Sequence, residues 1–223
     1  MVCAIYEEFF NNLLELQRDA LDRNVLITEL LRKALVVARK LKIDDFEQWV
    51  SQELNGYGDS STVPDYRMIT GQVKVWNPYH GWQPMYFKNS EMESILSKRA
   101  CGQTIAEIES LIKNETKYDS FQMPFSSEVL SKLRKGIKFN TEITLMTSST
   151  SLVRILEAVR TIILNWSMKL EEDGILGDGM SFTEQEKNKV ADNKLEAPIE
   201  STVIRFFNDV PTKAINKKPA YCQ

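Results

Sequence analysis

The chain has 223 residues, of which 43% are hydrophobic and 26% are charged, and its formal net charge is −3. A chain of this length buries a hydrophobic core without disulfides, and nine Gly and seven Pro exclude collagen-like or low-complexity character. The slight acidic excess disfavours a protein whose whole surface binds nucleic acid, because such surfaces need many surplus Lys and Arg residues. A local basic patch remains compatible with this charge.

Cysteine usage and the apolar segments indicate the compartment. Cys3, Cys101 and Cys222 are far apart and form no C-x-x-C pair, so we expect reduced thiols and no disulfide. The N-terminus lacks the basic and apolar regions of a secretory signal. The apolar windows are far shorter than the roughly 20 residues that cross a bilayer. These features predict a cytoplasmic protein that makes no membrane contact.

In the first quarter of the chain, apolar residues recur every three or four positions, which is typical of amphipathic helices. The predicted helices run from Tyr6 to about Leu21, from Val25 to about Leu41, and from Asp44 to about Leu54. Asp44 is the expected N-cap of the third helix, and Gly56 follows its end. Short connectors between these helices predict an N-terminal helical bundle.

A loop rich in Gly, Asp, Ser and Pro follows at residues 56–65. After it, the residues alternate between two faces with the period of two that is typical of a strand. The run from Arg67 to Trp76 alternates and predicts one strand. The turn-forming residues 77–82 and an extended run from Gln83 to Phe87 complete a predicted hairpin.

Short helices and strands follow before one long helix. We expect short helices after the capping boxes Ser90–Glu93 and Thr104–Glu107, and after a cap at Ser126 or Ser127. Further elements are strands at Ser120–Phe125 and Ile137–Met146, a long helix at Ser149–Asp173, and a polar helix from the Thr183–Glu186 capping box to about Asp192. The predicted fold is helix-rich α+β: an N-terminal helical bundle packed with a small antiparallel sheet and a long C-terminal helix.

We expect a single domain over residues 1–192 and a polar tail over residues 193–223. Within the tail, the apolar run Thr202–Phe207 is predicted to form a short strand or a docking segment. The sequence leaves open whether this segment binds its own domain or another chain.

The predicted hairpin carries the most distinctive group of side chains. Its aromatic residues include Trp76, Tyr79, His80 and Trp82, and positive charge comes from Arg67, Lys74 and Lys88. Such a mixture can stack nucleic-acid bases or anchor a peptide. The structural alternative is that the aromatic side chains close the sheet against the helices.

A second candidate surface is basic, and it comprises Lys132, Arg134, Lys135 and Lys138. These side chains could bind phosphate or an acidic partner. Their position near a predicted helix C-terminus also lets them interact favourably with the helix dipole, which is the structural alternative.

We predict no catalytic set, no metal site and no cofactor. His80 is the only histidine, and G-x-S-x-G, Walker-type, dinucleotide-binding and H-E-x-x-H motifs are absent from the sequence. The acidic clusters Asp44–Glu47 and Glu171–Asp173 lie at predicted helix ends, where capping or a solvated face explains them. Cys101 has no candidate histidine close in sequence and is interpreted as an ordinary small residue.

Two blocks of sequence resemble a known family. The first combines Leu30–Leu41 with W-x-x-x-E-L-N-G-Y at Trp49–Tyr57 and P-x-Y-R at Pro64–Arg67. The second combines Val153–Trp166 with G-x-G-M-S-F at Gly177–Phe182. Their order and spacing resemble the AbiTii domain of bacterial abortive-infection and related conflict proteins, over roughly residues 25–190.

The resemblance implies a role in bacterial defence against phage and supplies no catalytic residues. We therefore expect a non-enzymatic sensing, adaptor or regulatory module that binds a protein partner from the same defence locus. The expected contact residues are Trp76, Tyr79, His80, Trp82, Lys132, Arg134 and Lys135. A homo-oligomer is also expected if the long helix is shared between protomers.

Two alternatives stay open at this point. One is a nuclease or nucleotide-processing toxin whose site combines His80, dispersed carboxylates such as Asp45, and the basic patch. The other is a nucleic-acid-binding module that uses the Trp76–Phe87 hairpin and whose affinity falls steeply with salt. The net charge favours a protein partner over nucleic acid.

Overall fold

A computed structural model describes residues 12–58, 63–113, 120–135, 141–177 and 181–192. Within these ranges the helices are α1 (Asn12–Leu21), α2 (Ile27–Leu41), α3 (Asp44–Asn55), α4 (Ser90–Leu96), α5 (Ile105–Lys113), α6 (Ser127–Arg134), α7 (Ser149–Glu172) and α8 (Glu184–Asp192). The strands are β1 (Met68–Thr70), β2 (Gln72–Asn77), β3 (Gly81–Pro84), β4 (Lys98–Ala100), β5 (Ser120–Pro124) and β6 (Ile143–Ser148). These elements confirm the predicted helix-rich α+β fold.

Three parts of the expected organisation lie outside the described residues. They are the start of the first predicted helix before residue 12, residues 137–140 of the strand predicted before Met146, and the tail from residue 193 with its Thr202–Phe207 run. Within the described ranges, no helix combines the length and the apolar character that a bilayer span requires.

Helix α7 is the centre of the helical layer, and α1, α2 and α5 pack around it. The apolar residues that give this segment its helical period are buried except for the half-buried Leu156, and the buried ones are Leu152, Ile155, Val159, Ile162, Ile163, Trp166 and Leu170. The Trp166 ring stacks on Phe46 of α3 with the ring centroids 3.8 Å apart. Contacts within one chain therefore bury the apolar stripe of α7. This packing does not support a helix shared between protomers, and the homo-oligomer stays a prediction.

A four-stranded antiparallel sheet, in the order β3-β2-β6-β5, packs one face against α6. Val73, Ile143 and Leu145 on that face form a second core with Leu133 of α6. Because side chains alternate along a strand, even-numbered residues of β2, such as Trp76, lie on the opposite face. Strands β1 and β4 form a separate two-stranded antiparallel sheet.

The prediction of one strand over Arg67–Trp76 is wrong. Arg67 belongs to a 3-10 turn, β1 and β2 lie in different sheets, and the chain changes sheets at Gly71. A Cβ atom on Gly71 would overlap the carbonyl oxygen of Met146, so only glycine permits this close approach of the two backbones. The partner of β1, strand β4, is not predicted because three residues are too few to show an alternation. Strand β3 also begins two residues before the predicted extended run.

Capping boxes start two helices as predicted. The Glu107 backbone N–H donates to Thr104 Oγ1 at 3.1 Å, and the Glu186 N–H donates to Thr183 Oγ1 at 3.2 Å. In each box the threonine backbone N–H donates to the glutamate Oε2, at 2.9 Å and 2.8 Å respectively. Ser126 caps α6, also as expected.

Two other predicted caps are wrong. Asn89 rather than Ser90 caps α4, and its Oδ1 accepts from the Glu91 N–H at 2.8 Å. Ile43 rather than Asp44 is the N-cap of α3, without a side-chain cap bond. Lys42 ends α2 in the left-handed conformation (φ 58°), so the chain turns directly into α3 and buries Ile43 at the turn. Apolar burial thus replaces a polar cap at this position.

Candidate functional site

The aromatic residues predicted as a site surround the turn between β2 and β3. We call Trp76, Tyr79, His80 and Trp82 the hairpin surface. Asn77 Oδ1 accepts from the backbone N–H groups of Tyr79 (2.9 Å) and His80 (3.2 Å), which fixes the turn. Tyr79 is 91% exposed, and His80 is also exposed. The turn therefore presents an aromatic ring and an imidazole to solvent on a hydrogen-bonded backbone.

The two tryptophans form a cross-strand pair. Trp76 lies directly opposite Trp82, and their rings meet edge to face with centroids 5.4 Å apart. Trp76 remains 39% exposed, and Trp82 is half-buried. Phe87 packs against the second core, as expected if the aromatic side chains close the sheet against the helices. Trp76 and Tyr79 belong to neither core in the described part of the chain.

One basic residue reaches the same end of the sheet. Arg134 Nη2 donates to the Thr141 carbonyl at 3.4 Å, and the Thr141 hydroxyl donates to the Trp76 carbonyl at 2.5 Å. Lys132 instead pairs with Glu128 one turn away at 2.8 Å. Lys135, exposed at the end of α6, has no such connection to Trp76 in the hydrogen bonds of the described residues. The structure therefore connects Arg134, and not the whole predicted basic patch, to the backbone of β2 at Trp76, while Lys138 lies outside the described residues.

The predicted surface position of Arg67 is wrong. Its guanidinium is buried, with an exposed fraction of 0%, and forms an ion pair with the equally buried Glu53 of α3. Arg67 Nε donates to Glu53 Oε1 at 3.0 Å, and Arg67 Nη1 donates to the carbonyls of Cys101 (2.9 Å) and Gln103 (2.7 Å). The positive charge of Arg67 is thus neutralised inside the protein and contributes nothing to the hairpin.

Three further side chains complete what we call the Glu53 network, which consists of Glu53, Arg67, Tyr57, Tyr66 and Trp49. The hydroxyls of Tyr57 and Tyr66 both donate to Glu53 Oε1, at 2.6 Å and 2.5 Å. Trp49 Nε1 donates to the Tyr66 hydroxyl at 2.8 Å. The buried carboxylate therefore accepts from two phenols and one guanidinium, the arrangement that a buried charge requires.

Burial controls the ionisation of this network. Burial, followed by the negative charge of Glu53, raises the pKa of both Tyr57 and Tyr66, so both phenols stay protonated and act as donors. Burial alone would lower the pKa of Arg67, but its hydrogen bonds and ion pair with Glu53 raise that pKa. Burial also raises the pKa of the Cys101 thiol, which donates to Gln103 Oε1 at 3.0 Å. A closed, fully paired set of this kind supports the fold and offers no substrate access.

The residues proposed for a nuclease site are dispersed over the structure. Asp45 lies on α3, where it lines a cleft of about 530 Å³ against α8, whereas His80 lies at the hairpin turn. Across the described ranges, no three His, Cys, Asp or Glu side chains come close enough to hold a metal ion. The described geometry therefore lends no support to a metal-dependent nuclease.

The Glu53 network consists entirely of residues from the first motif block: Trp49, Glu53 and Tyr57 of W-x-x-x-E-L-N-G-Y, and Tyr66 and Arg67 of P-x-Y-R. A family model described as AbiTii matches residues 13–195. The chain belongs to the AbiTii family. The match spans every described helix from α1 to α8 and confirms the predicted family. No curated protein and no solved structure matches the chain.

Gly177 and Phe182 of the second AbiTii motif block lie beside the half-buried carboxylate of Glu186. Glu186 of α8 accepts from the backbone N–H groups of Leu176 (3.0 Å), Gly177 (2.9 Å) and Thr183 (2.8 Å). Gly177 has φ 72°, and Phe182 packs into the main core. Both AbiTii motifs thus build the fold, and the name of the family, rather than either motif, connects the chain with abortive infection.

Glu186 gives this AbiTii chain a measurable pH dependence. Burial alone would raise the pKa of Glu186, but the Gly177 and Thr183 donors lower it from 4.5 to about 2. A carboxylate whose folded pKa is depressed contributes stability above its unfolded pKa and loses that contribution as the pH falls toward the folded value. We expect the Tm of the wild type to fall between pH 4.5 and about pH 2 more steeply than the Tm of Glu186→Gln.

Thermal unfolding followed by circular dichroism across this pH range measures the difference. Glu172→Gln, which removes an exposed carboxylate at the end of α7, is the matched control and should follow the wild-type curve. Parallel curves for the wild type and Glu186→Gln would contradict the prediction.

Proposed function

We propose that this AbiTii chain acts in the cytoplasm as a non-enzymatic sensing or regulatory module of abortive-infection defence. It binds a protein partner encoded at the same locus through the hairpin surface and Arg134. The observation that carries this proposal is the Trp76–Trp82 pair, which is aromatic, ordered by two strands, and still accessible beside the fully exposed ring of Tyr79.

The composition of this surface supports a protein partner. Trp, Tyr and Arg are the residue types that carry most binding energy at protein interfaces. Tyr79 extends from a fixed turn, so its ring loses little backbone freedom on binding. Among the described residues, Lys74 shares the Trp76 face of β2 and Arg134 connects to the Trp76 backbone, whereas binding of single-stranded nucleic acid calls for a groove with several cations along it. A protein partner is therefore favoured over nucleic acid.

Loss of the Tyr79 ring should weaken partner binding. We expect Tyr79→Ala to raise the Kd for the partner about 30-fold, the equivalent of about 2 kcal/mol at an interface hot spot. The measurement is titration calorimetry of the purified chain against each protein of its gene neighbourhood. Leu21→Ala, which truncates a 70% exposed residue on α1, is the control and should leave Kd unchanged.

Phage challenge of cells that carry each variant links binding to defence. Tyr79→Ala should lose protection, whereas Leu21→Ala should keep it. Equal affinity of both variants for the partner would overturn the proposed contact surface. If Tyr79→Ala instead abolished a steeply salt-dependent interaction with RNA, the surface would belong to a nucleic-acid-binding module.

A further inference from the structure

A groove of about 570 Å³ lies between the N-terminal end of α2, helix α5 and the first half of α7. We call it the α2–α7 groove. Its walls expose apolar side chains that the main core does not use, above all Leu26 (50% exposed) and Val153 (39% exposed), and the small Ala106 of α5 is also in the lining. Exposed apolar groups around a concave surface mark a place where another segment binds.

The groove is held open by two internal contacts. Arg160 of α7 donates to the carbonyls of Asp22 (2.9 Å) and Val25 (2.6 Å), which fixes the connection between α1 and α2. Glu109 of α5 accepts from the Thr28 hydroxyl at 2.6 Å and from the Ile27 N–H, and so caps α2, whose own N-cap has no side-chain bond. The groove therefore exists before anything binds in it, which lowers the cost of binding.

The exposed charged residues at the rim of the groove have a basic excess of one. They are Arg23, Arg32 and Lys113 against Glu29 and Glu157. An apolar segment with acidic flanks would match both the walls and this rim.

Residues 200–209, outside the described ranges, contain an apolar segment with acidic flanks. Val203, Ile204, Phe206 and Phe207 are apolar, with Arg205 between them, and the acidic residues Glu200 and Asp209 flank them. Helix α8 ends at Asp192, beside the C-terminal end of α2. Ten residues separate Asp192 from Val203 and reach about 33 Å when extended, whereas the 15 residues of α2 extend about 22 Å. The segment can therefore reach the groove at the other end of α2.

We propose that the α2–α7 groove binds Val203–Phe207 of the same chain. This inference does not involve the hairpin surface, and its test is independent of the test of the proposed function. It assigns the apolar run of the tail to a position on its own domain.

Crosslinking of the full chain tests the position of the segment. In a Cys3→Ser/Cys222→Ser background, a new cysteine at Asn208 is paired either with Ala106→Cys in the groove or with Ala191→Cys on α8. Both alanines are exposed, and Cys101 is buried. A freely moving tail would favour Ala191, which is only 17 residues away along the chain (208 − 191). Docking predicts the opposite order, with intramolecular crosslinking by a short bismaleimide at least about ten-fold faster at Ala106.

A second variant tests the apolar contact itself. Adding Ile204→Asp and Phe207→Asp to the Ala106 pair should reduce its crosslinking rate about ten-fold, to that of an undocked tail. Faster reaction at Ala191, an unchanged rate after the aspartate substitutions, or crosslinks found only between two chains would each overturn the proposal. The last outcome would assign the groove to the segment of a second copy.

Discussion

Glu53→Gln is expected to lower the free energy of unfolding by about 3–5 kcal/mol, because it leaves the Arg67 guanidinium buried without a counter-charge. Both side chains have an exposed fraction of 0%, so water cannot replace the lost partner. Urea unfolding measures the change. The matched control is Glu47→Gln, which removes the exposed ion pair with Arg39 and should cost at most about 1 kcal/mol.

The double variant Glu53→Leu/Arg67→Met distinguishes the effect of the two charges from the effect of the volume that the two side chains fill. Removing both charges avoids an unpaired buried ion, so the double variant should lose less stability than the sum of its two single variants. A cost for Glu53→Gln no larger than that of Glu47→Gln would show that Arg67 finds water or another partner, and would contradict the closed network.

Gly71→Ala is expected to lower the free energy of unfolding by about 3 kcal/mol, which is the upper end of the usual cost of overpacking. The cost is high because the new Cβ overlaps backbone atoms of Met146 and not a movable side chain. The Met146 carbonyl cannot retreat without moving β6, which is central in the four-stranded sheet. Denaturant unfolding again gives the magnitude, and the slope of the transition reports whether the compactness of the folded state has changed.

Gly58→Ala is the natural comparison, since, chain neighbours apart, no atom of the described residues lies within 4 Å of a Cβ built at that position. Its effect should be neutral or slightly stabilising, because alanine restricts the unfolded chain. If the two alanine variants had equal stability, the close approach at Gly71 would not control the change of sheets.

The helices of this chain could be predicted because their signals are local. The apolar stripe of α7 and the capping boxes at Thr104 and Thr183 depend on residues within a few positions of one another. The separation of β1 from β2 could not be predicted in the same way. It depends on Met146, which lies 75 residues after Gly71 (146 − 71), and an alternating sequence is compatible with either sheet.

The candidate site was predictable only in part. The turn residues placed Tyr79 and His80 at a hairpin, but nothing local connects Trp76 with Thr141 and Arg134. Arg67 was misplaced because a charged residue in an alternating run suggests a solvent-facing position. One signal was present: Glu53 lies four residues after Trp49, on the apolar side of α3, where a carboxylate needs a buried partner.

The central position of α7 has a consequence for biosynthesis. The apolar faces of α1 and α2 pack against α7, which begins at Ser149. The ribosome adds 108 residues between Leu41 and Ser149 (149 − 41 = 108). At about 5–20 residues per second this interval lasts about 5–20 s, during which the faces of α1 and α2 that pack against α7 are uncovered. The nascent chain therefore exposes apolar surface of α1 and α2 until α7 has left the ribosome.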